Sequence, residues 1–290
     1  MEHQLFRQIL DLLRRLGKGR RRPRDQFSDD EILRVWFWAV LHDRPVAWAC
    51  QPCNWPSHAR RRKFPSDTTL SRRLRTDRVK ELLKACETEV LQTQGHSLLW
   101  RVDGKPLVIG ACSKDRQAGY GRAAGAMACG YKIHAVFSGN FAIAGWRVAP
   151  MNKDERVMAR RLLREAKLQG YVLGDANYDS NALHEVCRMR DGLQLITPRR
   201  GGKSGSSRLG HRRHSPARLR CIELMEGPSG FGRSLYEERF SIERDFAHLS
   251  NWGGGLTHLP PWARTYRRVH RWVQAKLLLT ALKRQNHLTT

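Results

Sequence analysis

The run Leu98-Leu99-Trp100-Arg101-Val102-Asp103-Gly104, followed at once by Pro106-Leu107-Val108-Ile109, is the stretch on which the fold reading turns. Two short apolar runs meeting at Asp103-Gly104 predict two strands with a carboxylate where the first one ends. The pattern recurs downstream, where Tyr171-Val172-Leu173-Gly174 leads to Asp175. Asp179 or Ser180 is then placed to cap a helix that begins near Asn181. An aspartate at the end of a single strand reads as a turn former. Two of them, each closing a strand-like run, raise the question of a third carboxylate.

Leu235–Ser250 supplies one, reading L-Y-E-E-R-F-S-I-E-R-D-F-A-H-L-S. Phe240, Ile242, Phe246 and Leu249 recur at helical spacing and predict a half-buried helix. Tyr236, Arg239 and Glu243 are three and then four residues apart, which places them on one face of that helix. Taken alone, this face reads as a surface ion pair. Taken with Asp103 and Asp175, Glu243 completes three hard oxygen ligands of the kind that hold one or two Mg²⁺ ions where phosphoryl groups are transferred.

The intervening chain fills in the architecture. Gly130–Phe137 alternates as a strand, and Phe141–Val148 is its hairpin partner across Ser138-Gly139-Asn140. A helix runs from Pro150–Asp154 through Leu168, another spans Asn181–Arg190, and a strand covers Leu193–Thr197. The order β-β-β-α-β-α-β predicts an α/β fold with a mixed sheet flanked by helices. Ala111–Gly130, rich in Gly and Ala, reads as a loop whose Lys114, Arg116 and Arg122 either approach a polyanion or simply lie in a loosely packed segment. Asp115, Asp154 and Asp179 are rival carboxylates, but none closes an apolar strand in the same way.

Asp103, Asp175 and Glu243 resemble the catalytic triad of bacterial insertion-sequence transposases of the DDE type. Around the glutamate, Tyr236-x2-Arg239-x3-Glu243-x6 is similar to the Tyr-Arg-Glu-Lys motif of the insertion-sequence-four group, with Ser250 where that motif has Lys. The resemblance runs from Ser97 to the C-terminus. It implies a ribonuclease-H-like core in which the first and fourth strands lie side by side and bring Asp103 and Asp175 together. Glu243 would then arrive on a helix packed over the sheet edge. It further implies Mg²⁺, with Mn²⁺ as a substitute, held by the three carboxylates, and Tyr236 and Arg239 touching the DNA backbone near the cut end. The partners it implies are double-stranded DNA, both element terminal repeats and target, and a second copy of the chain when assembled on that DNA. A cytoplasmic, nucleoid-associated location follows from the same resemblance. Two other readings share these residues: an inactive transposase-derived repressor, and a metal-dependent nuclease of the same fold.

Composition agrees. The chain has 290 residues with 53 Lys plus Arg against 27 acids, a net charge of +26. A chain this basic calls for a polyanionic partner, and nucleic acid is the default. No run of about 18 apolar residues predicts a membrane span, and the first residues lack a signal-peptide pattern. Seven cysteines, an odd number, fit reduced thiols. Cys50-Gln51-Pro52-Cys53 has knuckle spacing but no second pair, so it reads as two idle thiols rather than zinc ligands.

Three regions emerge. Residues 1–25 form a basic arm, with a short amphipathic helix through Leu5, Ile9, Leu12, Leu13 and Leu16 and then a phosphate-seeking stretch that includes Arg20, Arg21 and Arg22. Residues 26–95 form a small all-helical domain in which Ser28 and Glu31 make a capping box. Its Ser66–Arg75 helix reads either as the recognition helix of a helix-turn-helix or as a plain surface helix, with Arg61, Arg62, Arg72 and Arg73 as DNA contacts in the first case. Residues 96–290 form the catalytic domain, interrupted at about 198–234 by a basic insertion carrying Arg212 and Arg213, in which His211 and His214 are loop residues rather than ligands. A last helix from about Pro261 buries Tyr266, Val269 and Trp272 and turns Arg264, Arg267, Arg268 and Arg271 to DNA or to solvent.

Overall fold

The computed structural model describes residues 2–17, 25–92, 97–110, 114–138, 142–190, 192–200, 214–251, 255–256 and 258–288. They form two compact units, one built from residues 1–93 with 249–290 and the other from 94–248.

The first unit is helical. Helix α1 (Glu2–Gly17) buries Leu5, Ile9, Leu12 and Leu13 of the expected stripe together with Phe6, while Leu16 is half-buried. These residues pack in the helical bundle, so the region expected to be an arm is mostly core. Arg20, Arg21 and Arg22 lie outside the described residues. Helix α2 (Asp29–Leu41) is buried along most of its length, and Glu31 accepts a hydrogen bond from the Ser28 backbone N–H at 2.8 Å. The short α3 (Val46–Ala49) and α4 (Asp67–Arg73) follow, the latter capped by Ser66 Oγ, which accepts from Thr69 N at 3.1 Å. Helix α5 (Asp77–Gln92) completes the N-terminal part.

The second unit is a six-stranded mixed sheet with helices. Its strands are β1 (Leu99–Val108), β2 (Gly119–Ala123), β3 (Ala126–Ser138), β4 (Ile143–Pro150), β5 (Gly170–Leu173) and β6 (Leu193–Ile196). The order is β2-β3-β1-β5-β6, with β4 also paired to β3. β1 is antiparallel to β3 and parallel to β5, so the first strand and the one leading to Asp175 are neighbours, as expected. Helices α6 (Glu155–Glu165) and α7 (Asn181–Arg188) cover one face, packing Leu162, Leu163, Leu183 and Val186 on Trp100, Val102, Val172 and Leu195. Alternation then sends Arg101 and Asp103 to the opposite face. Helices α8 (Pro216–Glu226), α9 (Phe231–Glu237) and α10 (Ser241–Asn251) follow. α10 reaches that opposite face through Phe246, edge-to-face with Phe137 at 5.1 Å, and through Asp245.

The last helix, α11 (Tyr266–Leu288), packs in the first unit rather than the second. It is buried almost continuously from Trp272 to Leu282, a pattern that suits a central bundle helix rather than one lying on a sheet. Lys276, 2% exposed, donates to Asp43 Oδ2 at 2.7 Å, while Trp272 Nε1 donates to Asp43 Oδ1 at 3.0 Å.

Three local readings change. The two apolar runs around Asp103 form one strand, with Pro106 accommodated opposite Lys132. Ala111–Gly130 is largely a hairpin, β2 turning into β3 through Ala124 (φ 48°) and Gly125 (φ 83°). Its Gly and Ala residues carry no hydrophobic alternation, yet small size is what packing requires: a Cβ at Gly121 would lie 2.8 Å from Met151 O. The basic insertion is shorter than 198–234, because residues 216–226 and 231–237 are helical and bury Ala217 and Cys221. Arg212 and Arg213 fall outside the described residues.

The β1–β5 contact rests on Gly170. Its φ is +88°, and a Cβ there would meet Leu98 O at 2.1 Å, while Tyr171 N donates to the same oxygen at 2.7 Å. Gly170→Ala is expected to destabilise the chain by about 2–4 kcal/mol, through strain and the lost strand contact. Thermal melting checks this, and an unshifted melting temperature would contradict so close an approach.

Candidate active site

The strand register builds the site. Leu99, Trp100 and Arg101 pair in parallel with Tyr171, Val172 and Leu173. Asp103 and Asp175 each lie two residues beyond the last pair, Asp103 within β1 and Asp175 just past β5, so they stand at the same level. Arg239 sits between them, with Nη2 3.4 Å from Asp103 Oδ2 and 3.8 Å from Asp175 Oδ2. These are charge contacts rather than tight hydrogen bonds. One guanidinium thus balances two carboxylates.

The tighter bonds of both aspartates are local. Asp103 Oδ1 accepts from Gly104 N at 2.7 Å, and Asp175 Oδ1 accepts from Asn177 N at 2.8 Å, capping a single 3-10 turn. Burial pushes the Asp103 carboxyl up to about 6, and the charges of Asp175 and Glu155 add to that, against the pull of the Gly104 N–H and Arg239. Tyr178 lies beneath this pair, fully buried, its hydroxyl without a hydrogen-bond partner. Burial first, then the charges of Asp103, Glu155 and Asp175, hold that phenol protonated.

Several neighbours were not foreseen in the sequence. Lys132 ion-pairs with Glu155, at the start of α6. His134 stands directly opposite Gly104 in the β1–β3 ladder, 1% exposed, and burial with the nearby Lys132 charge pulls it down to about 4. A Cβ at Gly104 would meet Lys132 Cδ at 2.8 Å and His134 Nδ1 at 3.2 Å, which explains a glycine after the catalytic-type aspartate. The signal was available in Lys132 and His134, two polar residues alternating within an otherwise apolar strand.

The helix carrying Tyr236, Arg239 and Glu243 is not continuous. α9 ends at Glu237, residues 238–240 form a 3-10 turn, and α10 starts at Ser241. Ser241 Oγ donates to Glu238 O at 2.7 Å, a local bond that competes with regular helix. The one-face arrangement is therefore lost. Arg239 turns to the aspartates, Tyr236 is half-buried near Arg239, and Phe240 is 65% exposed instead of joining the apolar face. On α10 the buried positions are Ile242, Asp245, Phe246 and Leu249, so Glu243 lies on the exposed flank. Among the described residues no group of three or more His, Cys, Asp or Glu side chains is gathered closely enough to hold a metal ion.

Residues 94–282 match the family described as transposase DDE domain. The chain belongs to that family. It is a transposase of the DDE kind, a family whose members typically use divalent metals. A search of the curated proteins finds no match. No described helix of this transposase is long and apolar enough to cross a membrane.

The donor set suits a hard divalent ion in part. Asp103 and Asp175 present oxygens toward a common point, and the cation now nearest to both is Arg239, which supplies the charge that a metal would supply. Glu243, the third carboxylate that the family resemblance implies, does not join them. Of the other arginines expected to meet DNA, Arg62 and Arg72 are exposed, Arg61 ion-pairs with Glu31, and Arg73 is held by Asp25 and Asp29 at 3.3 and 2.7 Å.

An acid raised in the folded state costs stability only where it is ionised. For Asp103 the cost is absent below the unfolded value, about 4, and complete above the folded value of about 6. Asp103→Asn should therefore be more stable than wild type near neutral pH, by at most about 3 kcal/mol and with a higher melting temperature, and the advantage should vanish below about pH 4. A pH-independent difference, or none, would show that the carboxyl is not strained by its site.

Proposed function

We propose that this transposase belongs to the insertion-sequence-four-like group, cutting the ends of its element and joining the 3′-OH ends to target DNA by phosphoryl transfer. The observation that supports this most strongly is the pair Asp103 and Asp175, facing each other from adjacent parallel strands across Arg239. A net charge of +26 supports double-stranded DNA as the partner.

In this reading Asp103 and Asp175 would hold Mg²⁺, or Mn²⁺ in its place, with Glu243 as the third ligand. A bound divalent ion would polarise the scissile phosphate and lower the pKa of a water. The chain's own residues do the rest. Arg239 balances the two carboxylates in the free protein and turns to the incoming phosphate, for which its planar fork is suited. Tyr236, beside it, contacts the backbone of the cut end. Glu243 follows Arg239 after one short 3-10 turn, so the rearrangement that brings it to the aspartates is confined to residues 238–240 and the start of α10. Tyr178, whose phenol stays protonated, and the carboxylate of Glu155 add to the low-dielectric, negatively charged surroundings of the aspartates. Two element ends handled together call for a homodimer on the DNA.

A second reading, an inactive transposase-derived DNA-binding protein, is favoured by two features: Glu243 is exposed, and Ser250 stands where the resembling motif has Lys. Cleavage and joining separate the two. Using DNA with the ends of the encoding element and Mg²⁺ or Mn²⁺, wild type should nick and join. Asp103→Ala, Asp175→Ala and Glu243→Ala should each lose about 10³-fold or more while still binding the duplex. If wild type binds but never cuts, the DNA-binding reading replaces this one.

A further inference from the structure

The helical unit carries a group of arginines that the fold leaves without acids. Arg271, in the second turn of α11, lies with its guanidinium 5.8 Å from the ring centroid of Trp36, and Trp36 meets Trp262 edge-to-face at 5.7 Å. The arginine is thus half-buried against an aromatic wall. Arg268 is three residues earlier on the same helix and shares that face. Arg75 follows the end of α4. Burial first, then the charges of Arg268 and Arg75, pull Arg271 down to about 10, which leaves it charged at neutral pH.

The contrast with nearby arginines is informative. Arg73 and Arg78 are both held by Asp25 and Asp29. Among the described residues, Arg75, Arg268 and Arg271 form no ion pair with a carboxylate. α11 has no acid in its first turn, so its positive dipole end adds to the same field. Arg264, just before the helix, also has a buried Nη1 without a partner. Gathering like charges against a desolvating wall destabilises a fold unless an anion completes the arrangement. Guanidinium groups held this way match the oxygens of a phosphodiester.

We propose that Arg75, Arg268 and Arg271, backed by Trp36, form a docking site for the phosphate backbone of duplex DNA on the helical unit. The proposal deepens the reading of the chain as a DNA transposase and rests on it. The site grips without reading sequence, because its contacts are to phosphates rather than to base edges.

The test is fluorescence anisotropy with the full chain and a labelled duplex of arbitrary sequence, across a KCl series, for wild type, Arg268→Gln and Arg271→Gln. Each variant should bind about tenfold more weakly and lower the slope of log affinity against log salt by about one. Without DNA, their melting temperatures should stay level or rise as like-charge repulsion is relieved. Arg73→Gln, which breaks a structural pair, should instead lower the melting temperature and leave the slope alone. Wild-type affinity and slope in both variants would overturn the proposal, as would a loss of affinity that tracks a loss of folding. So would inorganic phosphate stabilising wild type but not the variants while duplex binding is equal in all, since the site would then take a free anion. If wild type itself fails to bind duplex, the transposase reading falls as well; if it binds and the variants match it, only this site is lost.

Discussion

Three residues of parallel pairing between β1 and β5 fix the relative height of the two strands, and with it everything chemical in the second unit. The pairing is short because β5 is short, and it is held at its start by the Leu98 carbonyl receiving the Tyr171 N–H where only a glycine at position 170 fits. From that anchor β1 continues past the end of β5, so Asp103 lies within a strand while Asp175 lies in the turn after one. A one-residue slip would turn Asp103 to the other face of the sheet, among Trp100 and Val102. The site is therefore a property of strand register more than of the loops around it.

A second constraint sits on the same face of β1. Arg101, two residues before Asp103 and 1% exposed, donates from Nε and Nη2 to Asp245 Oδ2 at 2.9 and 2.6 Å, and from Nη2 to the Ser138 carbonyl at 2.6 Å. Burying such a pair costs desolvation that its attraction only offsets, so its contribution lies in specifying geometry. Here it fixes the rotation of α10 about its own axis. With Asp245 and Phe246 turned to the sheet, Glu243 falls on the flank. The pair that docks the helix thus also keeps Glu243 on the exposed side of α10.

The sheet was legible because its central strands are strongly apolar and its aspartates stand out in them. The mixed sheet flanked by helices followed from the element order, and the pairing of the first strand with the one before Asp175 followed from the family resemblance. The β2–β3 hairpin was not legible, since Gly119 and Gly121, opposite Gly130 and Ala128, are selected by close packing and leave no periodic trace. The break between α9 and α10 was hidden for the opposite reason. Leu235–Ser250 has good helical periodicity, and the bond from Ser241 to Glu238 O that interrupts it depends on one side chain. The place of α11 also escaped the sequence, because a helix with an arginine-rich start and a buried remainder fits a sheet or a bundle equally well. Asp43, 229 residues before Trp272 and 233 before Lys276, decides it by meeting both.

The central claim is that Asp103 and Asp175 act as one site before any DNA arrives. Mn²⁺ binding to the free chain, followed by electron paramagnetic resonance, tests it without calling on activity. The account predicts one class of bound ion that is lost alike in Asp103→Asn and in Asp175→Asn, since neither carboxylate suffices alone. Undiminished binding after removal of either one would contradict it, and the meeting of the two strands would then be a matter of folding only.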